Sequence, residues 1–212
     1  MRRRCASLLL IVQCLAFGAI IDRIAVIVGN SIVKDSDIDR DLRVVSFLNN
    51  EPLNFSAANR KTAANRLIDQ VFIRREIRIG DYPTATPEQA EAQLDALKKQ
   101  RFRSTSAFEQ ALRRYGLTDV ELRIQFQWQL SVLQFIDARF RPAVLVTDEE
   151  IDKYYREHAA ALQRQYPNKS ADELRDEVRD ILTGQKVNQQ FFSWLDDQRK
   201  SAKIVFREEN LA

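Results

Sequence analysis

Thr86-Pro87-Glu88-Gln89, Thr118-Asp119-Val120-Glu121, Thr147-Asp148-Glu149-Glu150 and Ser170-Ala171-Asp172-Glu173 share one arrangement, a hydroxyl residue followed three positions later by Glu or Gln. The hydroxyl accepts from the backbone N–H three residues ahead and the later side chain reaches back, satisfying donors that a helix start otherwise leaves open. Pro87 strengthens its own signal, because its fixed φ suits the first helical position. Apolar residues at helical spacing follow: Ala90, Leu94 and Leu97, then Ile151, Tyr154 and Tyr155, then Leu174, Val178, Ile181 and Leu182. A chain punctuated in this way is committed to helices.

Further upstream, Ser36 is expected to cap a helix through Ile38, Leu42, Val45 and Leu48 that ends near Asn49–Pro52. A second helix runs from about Ser56 to Ile79, with Ala64, Leu67, Ile68, Val71 and Phe72 on one face and Gly80 at its end. Another begins at Ser106, presents Phe108, Ala111 and Leu112, and stops at Tyr115-Gly116. Only five of 212 residues are glycine, well below the usual ~7%. Glycine-rich phosphate loops, a Rossmann fingerprint and most β-barrels are thereby disfavoured.

The two ends read differently. Ile24-Ala25-Val26-Ile27-Val28, Gly29-Asn30 and Ser31-Ile32-Val33-Lys34 make a β-hairpin with a two-residue connector. A lone hairpin is marginal in water and needs another strand. Ala202-Lys203-Ile204-Val205-Phe206-Arg207 carries the only other strong strand signal. The expected fold is therefore mostly α, a helical bundle with a small antiparallel sheet formed by the N-terminal hairpin and the C-terminal strand. Residues 170–207 return to the hairpin, either within one molecule or swapped between two as a homodimer.

The segment from Thr118 to Arg141 is ambiguous. Ile124, Phe126, Trp128, Leu130 and Val132 alternate with polar residues, which taken alone indicates a strand. Its capping box, its length and the continuation through Leu133, Phe135, Ile136 and Phe140 favour a helix. Such a helix is apolar on nearly every side, so neighbours or a bound partner must wrap it.

Met1-Arg2-Arg3-Arg4, the apolar run Cys5–Phe17 and the small residues Ala16 and Gly18 read as a secretory signal peptide over residues 1–18, cleaved after Gly18. The alternative is an uncleaved anchor, but the run is shorter than the ~20 residues a bilayer requires. Residues 19–212 then form a single domain. The whole chain has 33 Lys+Arg and 30 Asp+Glu; Arg2, Arg3 and Arg4 leave with the leader and no acid does, so 30 of each remain. That balance gives no reason to expect a nucleic-acid partner. Cys5 and Cys14 also leave, so the mature chain has no disulfide, thiol nucleophile or thiolate metal site.

No catalytic constellation is found, and neither a metal nor another cofactor is expected. His158 is the single histidine and lies on a charged helical stretch. Asp35, Asp37, Asp39 and Asp41 alternate, but they lack the glycine and closing glutamate of a calcium loop and suit a helix start better. What remains is surface. Phe126, Trp128, Phe135 and Phe140 are the candidate contacts for a bound polypeptide, with burial in the core as the competing fate of each.

Residues 22–39, Asp-Arg-Ile-Ala-Val-Ile-Val-Gly-Asn-Ser-Ile-Val-Lys-Asp-Ser-Asp-Ile-Asp, resemble the opening of the SurA/PrsA class of extracytoplasmic foldases. Val146-Thr147-Asp148-Glu149-Glu150-Ile151-Asp152-Lys153-Tyr154-Tyr155 resembles a helix of the same class, and the terminal strand lies where that chain returns to its N-terminal domain. In that family a parvulin-type prolyl isomerase module usually follows this helix. Here the link from Leu162 to Ser170 is only a few residues long, and the histidines and glycine-rich strands of a parvulin have no counterpart. The resemblance implies a periplasmic, ATP-independent holdase without isomerase activity. Its partners would be unfolded envelope proteins, including outer-membrane β-barrel precursors. The alternatives are a prolyl isomerase of the same family and an envelope assembly scaffold with one fixed partner.

Overall fold

The computed structural model describes residues 22–207 and Leu211, so the expected signal peptide lies outside the described residues. Strand β1 (Ile24–Val28) turns through Gly29-Asn30 into β2 (Ser31–Lys34), pairing Val28 with Ser31, Ile27 with Ile32 and Val26 with Val33. Gly29 has φ +55°, the left-handed region that this tight reversal demands and that glycine enters without steric cost. At the far end of the chain, β3 (Ile204–Phe206) lies antiparallel on the other side of β1, giving the order β2-β1-β3. Gly29 N–H donates to the Lys203 carbonyl at 2.9 Å and Arg207 N–H to the Ala25 carbonyl at 2.9 Å, extending this ladder at both ends. The expected mostly-α fold with a sheet closed by both chain ends is what the structure shows.

Between the strands run α1 (Asp35–Asn49), α2 (Ala57–Ile79), α3 (Pro87–Arg101), α4 (Thr105–Tyr115), α5 (Asp119–Phe140), α6 (Asp148–Gln165) and α7 (Ala171–Ser201), with a 3-10 turn at Arg141–Ala143 after α5. Capping boxes form at Thr86, Thr118, Thr147 and Ser170. The start of α1 differs from expectation. β2 runs into it without a linker, so Lys34 occupies the cap position and its N–H donates to Asp37 Oδ2 at 3.1 Å. Ser36 is already inside the first turn, and its hydroxyl instead donates to Asp22 Oδ2 at 2.6 Å.

Three apolar clusters form, and long helices run from one into the next. The first joins the sheet to α1, α2, α5 and α7 through Val26, Val33, Ile38, Ile68, Phe135 and Phe191. The second gathers Phe47, Leu94, Phe108, Leu112, Leu122 and Phe126 from α1, α3, α4 and α5. The third, built on Ile151, Leu162, Leu174 and Val178, holds α6 against the first half of α7. α1 and α5 span the first two clusters, and α7 spans the first and third. At 1.5 Å per residue, the 31 residues of α7 reach about 46 Å, so its α6-paired half forms an arm on the body. Among the described residues no helix is long and apolar enough to cross a membrane.

Candidate functional site

The alternating aspartates of α1 are absorbed by arginines. Arg60 of α2 pairs with Asp35 at 3.2 Å and with Asp39, Arg66 pairs with Asp41, and Arg40 bridges Asp37 at 3.2 Å and Glu121 of α5 at 3.3 Å. Burial raises the Asp41 carboxyl above its ordinary value while Arg66 acts in the opposite direction, and burial likewise outweighs Arg60 at Asp35. Asp35, Asp39 and Asp41 fasten α1 to α2, and Arg40 ties α1 to α5. Among the described residues no cluster of three or more His, Cys, Asp or Glu side chains is placed to hold a metal ion. His158 stacks on Tyr154 with ring centroids 4.1 Å apart, one turn away on the same helix.

Of the four candidate contacts, the structure removes three from the surface. Phe126 is buried in the second cluster. Phe135 has no exposure and meets the rings of Tyr82 at 5.1 Å and Trp194 at 5.6 Å, while Phe140 lies 5.8 Å from Phe191. The reason is the position of α5, which packs against α3 along one part and against α7 along another. Trp128 alone is half-buried, with the Arg74 guanidinium 3.8 Å above its ring centroid. The apolar residues of α5 left uncovered are Val120, 56% exposed, in its first turn, Ile124, 59% exposed, and Leu133, 63% exposed. Ile124 and Leu133 each open onto a groove. Leu133 lies with Pro83, Ile136 and Val187 beside α7. Ile124 belongs to a feature of similar volume on the opposite flank.

That feature is an open trough of about 600 Å³ between β2, α1, α2 and α5, lined by Ile32, Val44, Leu67, Val71 and Ile124 among others. Leu67 and Val71 were expected on the core face of α2. They sit at its margin, half-buried, because the true inward line is Ala64, Ile68 and Phe72. Past Arg74 and Ile32 the trough continues into a second recess of about 640 Å³ beside the hairpin tip, lined by Arg74, Arg75, Arg78 and residues 28–32 among others. The two ends differ in charge. At the first, a single Arg40 is shared by Asp37 and Glu121, and Asp41 also lines the wall, whereas among the described residues no acid lines the second. Burial against the apolar floor pushes the Arg74 guanidinium below its ordinary value, and among the described residues no carboxylate lies within ion-pair distance of it.

The trough also runs beside an unpaired strand edge. A two-residue hairpin loop makes Val28 and Ser31 a hydrogen-bonded pair, so Ile27 and Ile32 form the next, non-bonded pair. The bonds of Gly29 N–H to the Lys203 carbonyl and of Arg207 N–H to the Ala25 carbonyl fix the same phase. Ile32 therefore turns its N–H and C=O away from β1, and its side chain is 48% exposed at the same edge.

No known family model matches the chain. No curated protein matches it either. The geometry just described is thus what a functional assignment must rest on, together with the motif resemblance of residues 22–39 and 146–155. Composition pointed to the aromatics, whereas the trough is marked by a stripe on α2, Leu67, Val71, Arg74 and Arg78, in which apolar residues give way to arginine at helical spacing.

Proposed function

We propose that the protein is a periplasmic holdase of SurA/PrsA-like type, exported with loss of its signal peptide, that binds unfolded envelope polypeptides without ATP. The observation that carries the reading is the open trough, where exposed Ile32 and Ile124 flank half-buried Leu67 and Val71 next to a free strand edge. Outer-membrane barrel precursors, whose strands alternate apolar and polar residues, present side chains of the kind this floor accepts. Each Å² of apolar surface that a client buries there contributes about 25 cal/mol, and ordering an extended chain offsets much of the total. Binding of that strength is weak and reversible, so the client's own folding is sufficient for release and no chemical step is needed.

The test is aggregation of a denatured outer-membrane barrel protein diluted from urea, without nucleotide. Stoichiometric mature protein is expected to suppress light scattering, and Ile124→Glu to weaken that suppression with an unchanged melting temperature. Absence of suppression by the unaltered protein overturns the proposal.

A further inference from the structure

We propose that the trough takes its client as an added strand carrying a carboxylate. An extended segment pairs its backbone with Ile32 at the free edge of β2, its apolar side chains lie against Leu67, Val71 and Ile124, and an Asp or Glu side chain reaches Arg74 and Arg78. This deepens the holdase reading and rests on it.

Two independent features define the occupant. The first is the backbone. Ile32 directs an N–H and a C=O outward from an edge strand, and those groups are met most simply by another extended chain. The trough beside that edge is open and apolar, matching the alternate side chains of such a strand.

The second is charge. Nearby acids are already engaged: Asp35 and Asp39 by Arg60, Asp37 and Glu121 by Arg40, Asp41 by Arg66, and Glu76 by Arg139 of α5. Glu76 lies between Arg75 and Arg78 in sequence, yet its carboxylate turns to the other side of α2. Arg74, Arg75 and Arg78 thus line the hairpin-tip recess, and among the described residues no acid shares its walls. Arg74 is held over the Trp128 face, a contact that fixes its position but does not neutralise it. An arriving carboxylate completes a charge-assisted hydrogen bond there.

The experiment uses the mature protein and fluorescein-labelled octapeptides of alternating Val and Thr that end in Glu, Gln or Lys amide, followed by fluorescence anisotropy. The Glu peptide is expected to bind about three- to fivefold more tightly than its Gln isostere, as a largely exposed ion pair allows, and the Lys peptide more weakly than either. The preference should shrink in 0.5 M salt and vanish when Arg74→Gln and Arg78→Gln are combined. N-methylation of one alternate set of peptide amides should weaken binding while methylation of the other set does not, a signature that requires no change to the protein. Equal affinity of the Glu and Gln peptides, indifference to which amides are methylated, or binding only to phosphatidylglycerol vesicles overturns the inference. If aggregation of the barrel protein is nevertheless suppressed, the holdase reading survives that result; if it is not, both fall.

Discussion

In the body, β1 near the start of the described chain is hydrogen-bonded to β3 near its end, and Val26, Phe135 and Phe191 share one cluster despite lying far apart in sequence. In the arm, every buried member of the third cluster falls between Ile151 and Val178. Closing the body requires the whole chain to be in place, whereas the arm needs only a helix, a turn and the helix that follows. Contacts between sequence neighbours demand little loop closure, and regions held by them open at lower free energy than regions tied across the chain. The arm and body therefore differ in how stability is distributed, and the trough lies wholly on the body. A client site on the more cooperative unit does not depend on the contacts that hold α6 to α7.

The largest expected effect is at Phe135. Replacement by Ala removes a ring that contacts Tyr82, Phe140 and Trp194 at full burial, and should cost about 3–5 kcal/mol. The measurement is the urea midpoint at constant m-value. A loss below about 1 kcal/mol would mean that the clusters joined by α5 do not unfold together. In the arm, Ile151→Ala removes a fully buried side chain and should cost about 2–4 kcal/mol, but only locally. Amide hydrogen exchange should quicken across residues 148–182 while the β1 and β3 amides keep their protection. Equal loss in both regions would erase the distinction between body and arm.

The sequence is legible along the same division. Local signals are plain wherever one residue satisfies another a turn away, as at Thr86, Thr118, Thr147 and Ser170. The sheet is legible because, once the capping box and length at Thr118–Arg141 assign its alternating stretch to a helix, a hairpin and one distant β-branched run are the strand-like pieces left. Ser36 failed because β2 enters α1 without a linker, a fact of strand length that the cap residue itself does not encode. Phe126, Phe135 and Phe140 were hidden by α3 and α7, and a helix that is apolar all round does not reveal which sides its neighbours will cover. The trough was invisible for a related reason: it depends on β2 being an edge, which the strand order decides, and on Glu76 turning toward Arg139.

Acid should separate the two regions further. Lys186 and the Thr147 backbone hold the Glu150 carboxyl below its ordinary value of 4.5, and the Ser170 backbone and hydroxyl do the same for Glu173. A carboxyl depressed in the folded state contributes stability above its unfolded value, and that contribution disappears as pH falls through the folded value. Asp35 and Asp41, at the α1–α2 contact, are raised by burial above 3.8, so protonation there favours the folded form as pH falls toward that value. Between pH 6 and pH 3, exchange protection of the start of α6 and the start of α7 should decline before that of α1 and α2. The reverse order would show that the caps of the arm contribute less than their geometry implies. Thr147→Ala, which removes one such cap, should cost the arm about 1 kcal/mol and move this decline to higher pH.

The smallest effect lies where arm and body meet. Gly184 stands in α7 between Leu182, packed against the arm cluster, and Val187 of the body core, and the helix continues through it. An added Cβ there meets nothing within 4 Å, and Gly184 is not among the glycines with positive φ. Neither space nor backbone conformation requires glycine, so its main consequence is extra freedom in the unfolded chain. Gly184→Ala should stabilise the protein by about 0.5–1 kcal/mol, read as a higher urea midpoint with added protection on the arm side of the junction. Peptide affinity at the trough should not change, because α7 contributes none of the residues discussed there. If the substitution instead destabilises the protein, or alters peptide binding, then α7 bends at this point in solution and the arm reaches the client together with the body.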